Sequence, residues 1–266
     1  MKSGTFENKG VSLNYYQTGE GETDLFVQHG LYDDGLCWGN LPQDLGKKFR
    51  ITLMDARGFG LSSHPESGYD MDTMAEDMAT LIKHLGLNKP VLIGHSMGAS
   101  LGCHLAALHP DLPSGVVLID PAFREHSKAD MNKDFIAKRV GELLAQQAMT
   151  RDQLIAAICA KHPNWPDEFI HPAVDSKFRM STKAFAILNS IDATWKDDLV
   201  KARCPMLLIT ADMNLGAIVS KKTTDFVCKN NSRIQSLYIP GVGHSIHREK
   251  YAKVLKGIEN FLTTIN

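Results

Sequence analysis

Short apolar runs recur along the chain, and segments with helical periodicity separate most of them. Each run is short enough to be a strand, and most are apolar enough to be buried. The runs lie at 11–16, 25–28, 51–54, 91–93, 116–119, 206–210 and 236–239. Strands that alternate with helices predict an α/β fold, in which a mostly parallel central sheet is flanked by helices on both faces.

The segment that follows residue 73 shows the helical pattern clearly. Thr73-x-x-Glu76 has the form of a capping box, in which both side chains bind amides at a helix N-terminus. Apolar residues then recur on one face, at Ala75, Met78, Ile82 and Leu85. We therefore predict a helix that begins at Thr73 and stops at Gly86.

The alternation of strands and helices lapses between residues 122 and 203. This region is helical in pattern, and prolines at positions 163, 166 and 172 interrupt it. We predict a helical cap, inserted after the sixth strand, above the carboxyl ends of the strands, where open α/β sheets place their sites. Residues 1–121 and 204–266 then form the core, and residues 122–203 form the cap.

Composition limits the range of partners. The 29 Lys and Arg residues nearly balance the 30 Asp and Glu residues, so the formal net charge is −1. Such a chain carries no basic footprint for nucleic acid or for an anionic membrane surface, and a small-molecule substrate is the expected partner. The charge balance does not indicate an oligomeric state.

Cysteine usage and apolar runs bear on location. The five cysteines are scattered and odd in number, which favours reduced thiols. The first residues show no apolar signal region, and no apolar run is long enough to span a bilayer. We therefore expect a cytoplasmic protein.

Residues 94–98, Gly-His-Ser-Met-Gly, lie between a predicted strand and a predicted helix. They fit the G-x-S-x-G nucleophile elbow, which holds a serine at the tip of a sharp turn. Side chains at positions 94 and 98 would collide with the backbone as the chain reverses. Ser96 also precedes a helix N-terminus, which favours nearby negative charge. Ser96 is therefore the candidate nucleophile.

A serine hydroxyl needs a base that takes its proton, and stabilisation for the oxyanion that forms. His244 follows a predicted strand on a glycine-rich loop, late in the chain where the base of this motif is expected. Its competitor is the neighbouring His247. The N–H groups of Met97 and Leu31 are the candidate oxyanion donors, since Leu31 follows the strand that ends at residue 28.

Two strand ends offer an acid that could orient the histidine. Asp120 ends the strand that comes next after the nucleophile, and Asp212 follows the later strand at 206–210. The later position commonly carries the acid in a Gly-x-x-Asp pattern. Here Ala211 replaces the glycine and Asn214 replaces the acid. We favour Asp120, and Asp212 remains the alternative.

Taken in order, these motifs resemble the α/β-hydrolase superfamily. The matching segments cover almost the whole chain: 29–30, 55–62, 94–98, 118–121, 204–209 and 243–244. Within the superfamily the chain is similar to the N-formylmaleamate deformylase and lactonase-like group, which takes its acid from the strand after the nucleophile. The resemblance implies a triad of Ser96, Asp120 and His244. It also implies a structural role for Arg57.

The expected activity is cofactor-independent hydrolysis of a small ester, lactone or amide through an acyl-enzyme. Hydrolysis of a carbon–carbon bond in a ring-cleavage product and a non-catalytic ligand receptor are the alternatives. The sequence contains no P-loop, no H-E-x-x-H and no metal-binding Cys/His spacing, so no cofactor and no metal are expected. Arg124 could pair with a substrate carboxylate or could be a solvated surface residue.

Overall fold

An eight-stranded sheet forms the centre of the molecule in the computed structural model, which describes residues 1–124 and 133–265. In order across the sheet the strands are β1 (Lys2–Asn8), β2 (Val11–Thr18), β4 (Arg50–Met54), β3 (Asp24–Gln28), β5 (Val91–His95), β6 (Gly115–Ile119), β7 (Met206–Thr210) and β8 (Ile234–Tyr238). The pairs β1–β2 and β2–β4 are antiparallel, and all neighbours from β4 to β8 in this order run parallel. The predicted α/β class with a mostly parallel sheet is confirmed.

Helices cover the two faces of this sheet. On one face lie α1 (Leu41–Gly46) and α10 (Tyr251–Ile265), and on the other lie α2 (Met71–His84), α3 (Met97–Leu108) and α8 (Lys221–Asn230). Each face of the sheet has its own apolar core, and neighbouring residues of a strand point into different cores. Leu92 packs with α2 and α3, whereas Val91 and Ile93 pack with α1 and α10. This alternation is the period of two that a strand buried on both faces requires.

Between β6 and β7 the chain is helical. The elements are α4 (Lys133–Gln147), α5 (Arg151–Lys161), α6 (Asp167–Phe178), a 3₁₀ helix (Thr182–Asn189) and α7 (Trp195–Lys201). The helices α5 and α6 share a small apolar cluster of their own, whereas α7 packs against α3 of the core. The division into core and cap at residues 122 and 203 stays a prediction, and its segment 125–132 lies outside the described residues.

Three local predictions differ from the structure. The alternation at residues 11–16 predicts an edge strand, but β1 occupies that edge of the sheet and β2 lies second. β1 was not predicted because Phe6 is its one large apolar residue. The helix α2 begins at Met71, because the Asp70 side chain accepts the Thr73 N–H at 2.8 Å and caps the helix three residues earlier than Thr73. The sequence between the last two strands predicts a helix near residues 217–228, whereas α8 begins at Lys221, after the Ser220 cap.

Two shorter elements complete the carboxyl-terminal part. A 3₁₀ turn (Met213–Leu215) follows β7, and α9 (Ile246–Glu249) follows the loop after β8. Among the helices of residues 1–124 and 133–265, none combines the length and the apolar character that a membrane crossing requires.

Candidate active site

Ser96 lies on the turn that joins β5 to α3. Its backbone has φ +52° and ψ −113°, a conformation that residues other than glycine rarely adopt. The Ser96 N–H donates to the Ile119 carbonyl at 2.9 Å, and the Ser96 carbonyl accepts the Ser100 N–H at 3.0 Å. These bonds hold the strained turn in place.

The flanking glycines allow the close approach of backbone that this turn needs. A Cβ at position 94 would lie 2.4 Å from the Gly98 carbonyl, and a Cβ at position 98 would lie 2.1 Å from the Gln28 carbonyl oxygen. Both distances are far below van der Waals contact. Residues 94–98 therefore have the packing that a nucleophile elbow requires.

Asp120 lies directly after β6 and is completely buried. Its carboxylate accepts the N–H groups of Ile218, at 2.9 Å and 3.1 Å, and of Val219, at 3.0 Å. Its own N–H donates to the Ile209 carbonyl at 2.9 Å, although φ is +43°. The orientation of this carboxylate is therefore fixed by the amides of the loop at 218–219 and by the backbone hydrogen bond to β7.

His244 lies on the loop after β8, with Nδ1 2.7 Å from Asp120 Oδ2. An Nδ1–H that donates to the carboxylate leaves Nε2 free to act as a base. Both Ser96 and His244 line the same cavity. The Ser96 hydroxyl is not hydrogen-bonded to any residue that the structure describes, and in free enzymes such contacts often tighten only when substrate binds.

Asp212, the alternative acid, is engaged elsewhere. Its carboxylate accepts the Gly241 N–H at 2.6 Å and the Tyr238 hydroxyl. The hydrogen bond from Tyr238, followed by that from Gly241, lowers the pKa of Asp212. The structure thus brings Asp120, and not Asp212, into contact with His244.

Both residues that carry the candidate oxyanion N–H groups lie near the serine. Leu31 follows Gly30 beyond β3, and it lines the cavity with Ser96. Met97 is the first residue of α3, where N–H groups have no acceptor within the helix. Their role in catalysis stays a prediction.

The sheet order, the elbow and the aspartate–histidine contact together decide the family of folds. The chain has the alpha/beta hydrolase fold. A family model described as "alpha/beta hydrolase fold" matches residues 25–150. The resemblance that the motifs predicted is confirmed by this match and by the relatives that follow.

Two curated relatives are similar over nearly their whole lengths. The 2-(acetamidomethylene)succinate hydrolase of Mesorhizobium japonicum is 28% identical over 265 residues, covering 95% of this chain and 92% of the relative. The N-formylmaleamate deformylase of Pseudomonas putida is 28% identical over 257 residues, covering 92% and 91%. The crystal structure of E-2-(acetamidomethylene)succinate hydrolase superposes with a TM-score of 0.87 at 24% identity, covering 98% of this chain and 99% of that chain. Over nearly its whole length the chain is therefore similar to one protein named as a hydrolase and to one named as a deformylase.

The other predicted residues of this alpha/beta hydrolase-fold protein have structural contacts. The His29 ring accepts the Ala56 N–H at 3.1 Å, next to the elbow. Arg57 forms a buried bidentate ion pair with Asp77, at 2.6 Å and 2.7 Å. His247 is buried against His95 and does not line the cavity. These contacts agree with the structural role predicted for Arg57.

The cavity at the serine has a volume of about 370 Å³. Its lower part, which we call the floor, is made by Ser96, His244 and the Leu31 loop; its upper part, the roof, is made by α4, α5 and α6. Arg124 lines the cavity, and burial lowers its pKa, so it is not the fully solvated surface residue that was the alternative.

Several charged cavity residues were not predicted. Lys177 of α6 and Arg139 of α4 line the roof, and Arg248 binds Asp33 at 2.7 Å beside the floor. Asp33 could have been suspected from its place in the loop after Gly30. The three cations carry no local sequence signal, because tertiary packing alone brings their helices together.

Of the residues that the structure describes, one group could offer three metal ligands. Ligand atoms of Asp33, His95 and His247 all lie within 4.8 Å of one another. Burial lowers the pKa of both histidines well below the ordinary value, which favours their neutral rings. However, Arg248 already occupies Asp33, and its charge opposes a dication there.

Proposed function

We propose that this chain is a serine hydrolase that cleaves a small ester, lactone or amide through an acyl-enzyme. The observation that carries the proposal is the 2.7 Å contact between His244 Nδ1 and Asp120 Oδ2, with Ser96 on its elbow in the same cavity. A cavity of about 370 Å³ suits a small substrate.

In the proposed mechanism, Ser96 Oγ attacks the acyl carbon while His244 Nε2 takes its proton. The N–H groups of Leu31 and Met97 stabilise the oxyanion of the tetrahedral intermediate. His244 then gives the proton to the leaving group. Water, deprotonated by His244, then attacks the acyl-enzyme, and the acid is released as His244 returns the proton to Ser96 Oγ. Asp120 stabilises the imidazolium in both half-reactions.

The curated relatives favour an amide within this range. One is named for hydrolysis of 2-(acetamidomethylene)succinate and the other for deformylation of N-formylmaleamate. N-formyl and N-acetyl amides therefore come first in a substrate panel, followed by esters and lactones. If the enzyme turned over a vinylogous 1,5-diketone but none of the esters or amides, the alternative activity, hydrolysis of a carbon–carbon bond, would be favoured instead.

The nucleophile is tested with a fluorophosphonate probe and an aryl acetate. Ser96→Ala should lose probe labelling and reduce kcat by several orders of magnitude, since the attacking atom is gone. Ser100→Ala is the matched control, because Ser100 lies one helical turn further and its hydroxyl accepts the Ala122 N–H at 2.9 Å. Ser100→Ala should keep probe labelling. Unchanged labelling of folded Ser96→Ala protein would remove Ser96 as the nucleophile and refute the proposal, whereas a receptor would show slow single turnover and ligand-dependent thermal shifts.

A further inference from the structure

Lys177 stands out among the charged residues of the roof. It lies near the end of α6, is 9% exposed and lines the cavity with Ser96 and His244. Its Nζ donates to the Tyr32 carbonyl at 2.7 Å. An ammonium has three N–H donors, so two remain for other partners.

The two carboxylates in the described lining of the cavity are already engaged by other cations. Asp33 Oδ1 binds Arg248 Nη2 at 2.7 Å, and Glu142 Oε2 binds Arg139 Nη1 at 2.9 Å. Among the residues that the structure describes, no carboxylate oxygen lies within 4.0 Å of Lys177 Nζ. A buried lysine is rarely left without a counter-charge, because desolvation of the ammonium is costly.

The described lining of the cavity, from residues 1–124 and 133–265, also has an excess of positive side chains. Its acidic members are Asp33 and Glu142, and its cationic members are Arg124, Arg139, Lys161, Lys177 and Arg248. This excess favours an anion over a neutral or cationic ligand. The local charge differs from that of the whole chain, whose formal net charge is −1.

We propose that Lys177 binds a carboxylate of the substrate and so selects acyl compounds that carry a negative charge near the scissile carbonyl. This inference rests on the proposed function for the site, since it places the carboxylate beside the proposed oxyanion donor. Lys177 donates a hydrogen bond to the Tyr32 carbonyl, and Tyr32 directly follows Leu31. Two residues of chain span at most about 7 Å, so the ammonium lies within about 10 Å of the Leu31 amide. That spacing suits a short ω-carboxyacyl group.

A purely structural role for Lys177 would give a different result. The Tyr32 carbonyl accepts a second hydrogen bond, from Ser176 Oγ at 2.8 Å, and Tyr32 has φ +75°. Lys177 and Ser176 therefore support the same strained residue, but only Lys177 lines the cavity. Ser176→Ala is the matched variant that weakens this support and leaves the charge in place.

The experiment compares monomethyl succinate with methyl 4-methylpentanoate, in which an isopropyl group replaces the carboxylate. Lys177→Met should lower kcat/KM for the anionic ester relative to the neutral ester by about 10- to 100-fold, mostly through KM. Lys177→Arg should restore part of this ratio. Ser176→Ala should affect both esters equally. The inference would be overturned if Lys177→Met left the ratio of kcat/KM for the two esters unchanged. It would also be overturned if Ser176→Ala changed this ratio as much as Lys177→Met.

A binding measurement separates this inference from the proposed hydrolase activity. Calorimetry with monomethyl succinate on Ser96→Ala protein, with and without Lys177→Met, needs no turnover. A Kd that weakens about 10-fold or more with Lys177→Met supports the lysine even if Ser96 is not a nucleophile. Equal affinity of the two proteins, or no binding at millimolar concentration, would refute the role of Lys177.

Discussion

The floor and the roof of the cavity hold their polar groups in different ways. On the floor, the Asp120 carboxylate is fixed by the Ile218 and Val219 amides and by His244. On the roof, Lys177 has one carbonyl acceptor and no carboxylate within 4.0 Å among the described residues. A fully satisfied group is preorganised for one reaction, whereas an incompletely satisfied charge is available to a ligand. Changes on the floor should therefore alter turnover of every substrate, and changes on the roof should alter the choice of substrate.

Replacing the acid on the floor should have the largest effect. Asp120→Asn should reduce kcat on an aryl acetate by about 10³- to 10⁴-fold, because the histidine loses its orientation and its charge partner. Asp212→Asn is the control, because Asp212 instead receives hydrogen bonds from Tyr238 and Gly241. We expect less than about a tenfold change in kcat from Asp212→Asn. If the second variant lost as much as the first, the acid would be wrongly assigned.

This choice of acid shows how far the sequence could predict the floor. The elbow at 94–98 and the loop that carries His244 are recognisable because their chemistry depends on short local patterns. The order of motifs also predicted the alpha/beta hydrolase fold, which is confirmed. Asp120 and Asp212 both follow strands, and the residues alone left both open. Only the fold shows that the loop at 218–219 closes on Asp120.

The roof was less predictable for a physical reason. The helical pattern of the sequence indicated that the roof is made of helices. However, Lys177 and Arg139 lie on different helices, which meet only after folding. The same limit applies to β1 (Lys2–Asn8), which has Phe6 as its one large apolar residue and pairs antiparallel with β2. A pattern of side chains carries little information about an element that tertiary contacts define.

A core substitution in the roof should have an intermediate effect and should stay local. Leu154 of α5 is 1% exposed and packs in the separate cluster with Ile158, Ile170 and Val174. Leu154→Ala should cost about 2–4 kcal/mol of local stability. Native-state hydrogen exchange should then show faster exchange in α5 and α6, with β5 unchanged.

The control for this experiment is Leu105→Ala in α3. Leu105 is fully buried in the apolar core between the sheet and the helices α2 and α3. Its loss should lower protection across β5 and α3 as well as the global free energy of unfolding. Loss of protection in β5 with Leu154→Ala, equal to that with Leu105→Ala, would show that floor and roof unfold as one unit.

The smallest expected effect concerns the contact between α3 and α7, the last helix before the chain re-enters the sheet at β7. His104 lies 3.0 Å from Asp198 of α7 and 2.7 Å from Asp72 of α2. Burial acts to lower the pKa of His104, but the hydrogen bonds with Asp198 and Asp72 outweigh it and raise the pKa. Protonated His104 therefore stabilises the fold fully below the unfolded pKa of about 6.5, and this contribution is lost as pH rises through the folded pKa.

Urea unfolding of the wild type and of His104→Gln, from pH 5.5 to pH 8.5, measures this contribution. The wild type should be more stable by about 1 kcal/mol at the acidic end, and the difference should shrink toward alkaline pH. Asp198→Asn should reduce the same pH-dependent difference, since it removes the buried partner. A difference that grows with pH would mean that neutral His104 is the stabilising form, and that α7 is held to α3 by packing without the ion pair.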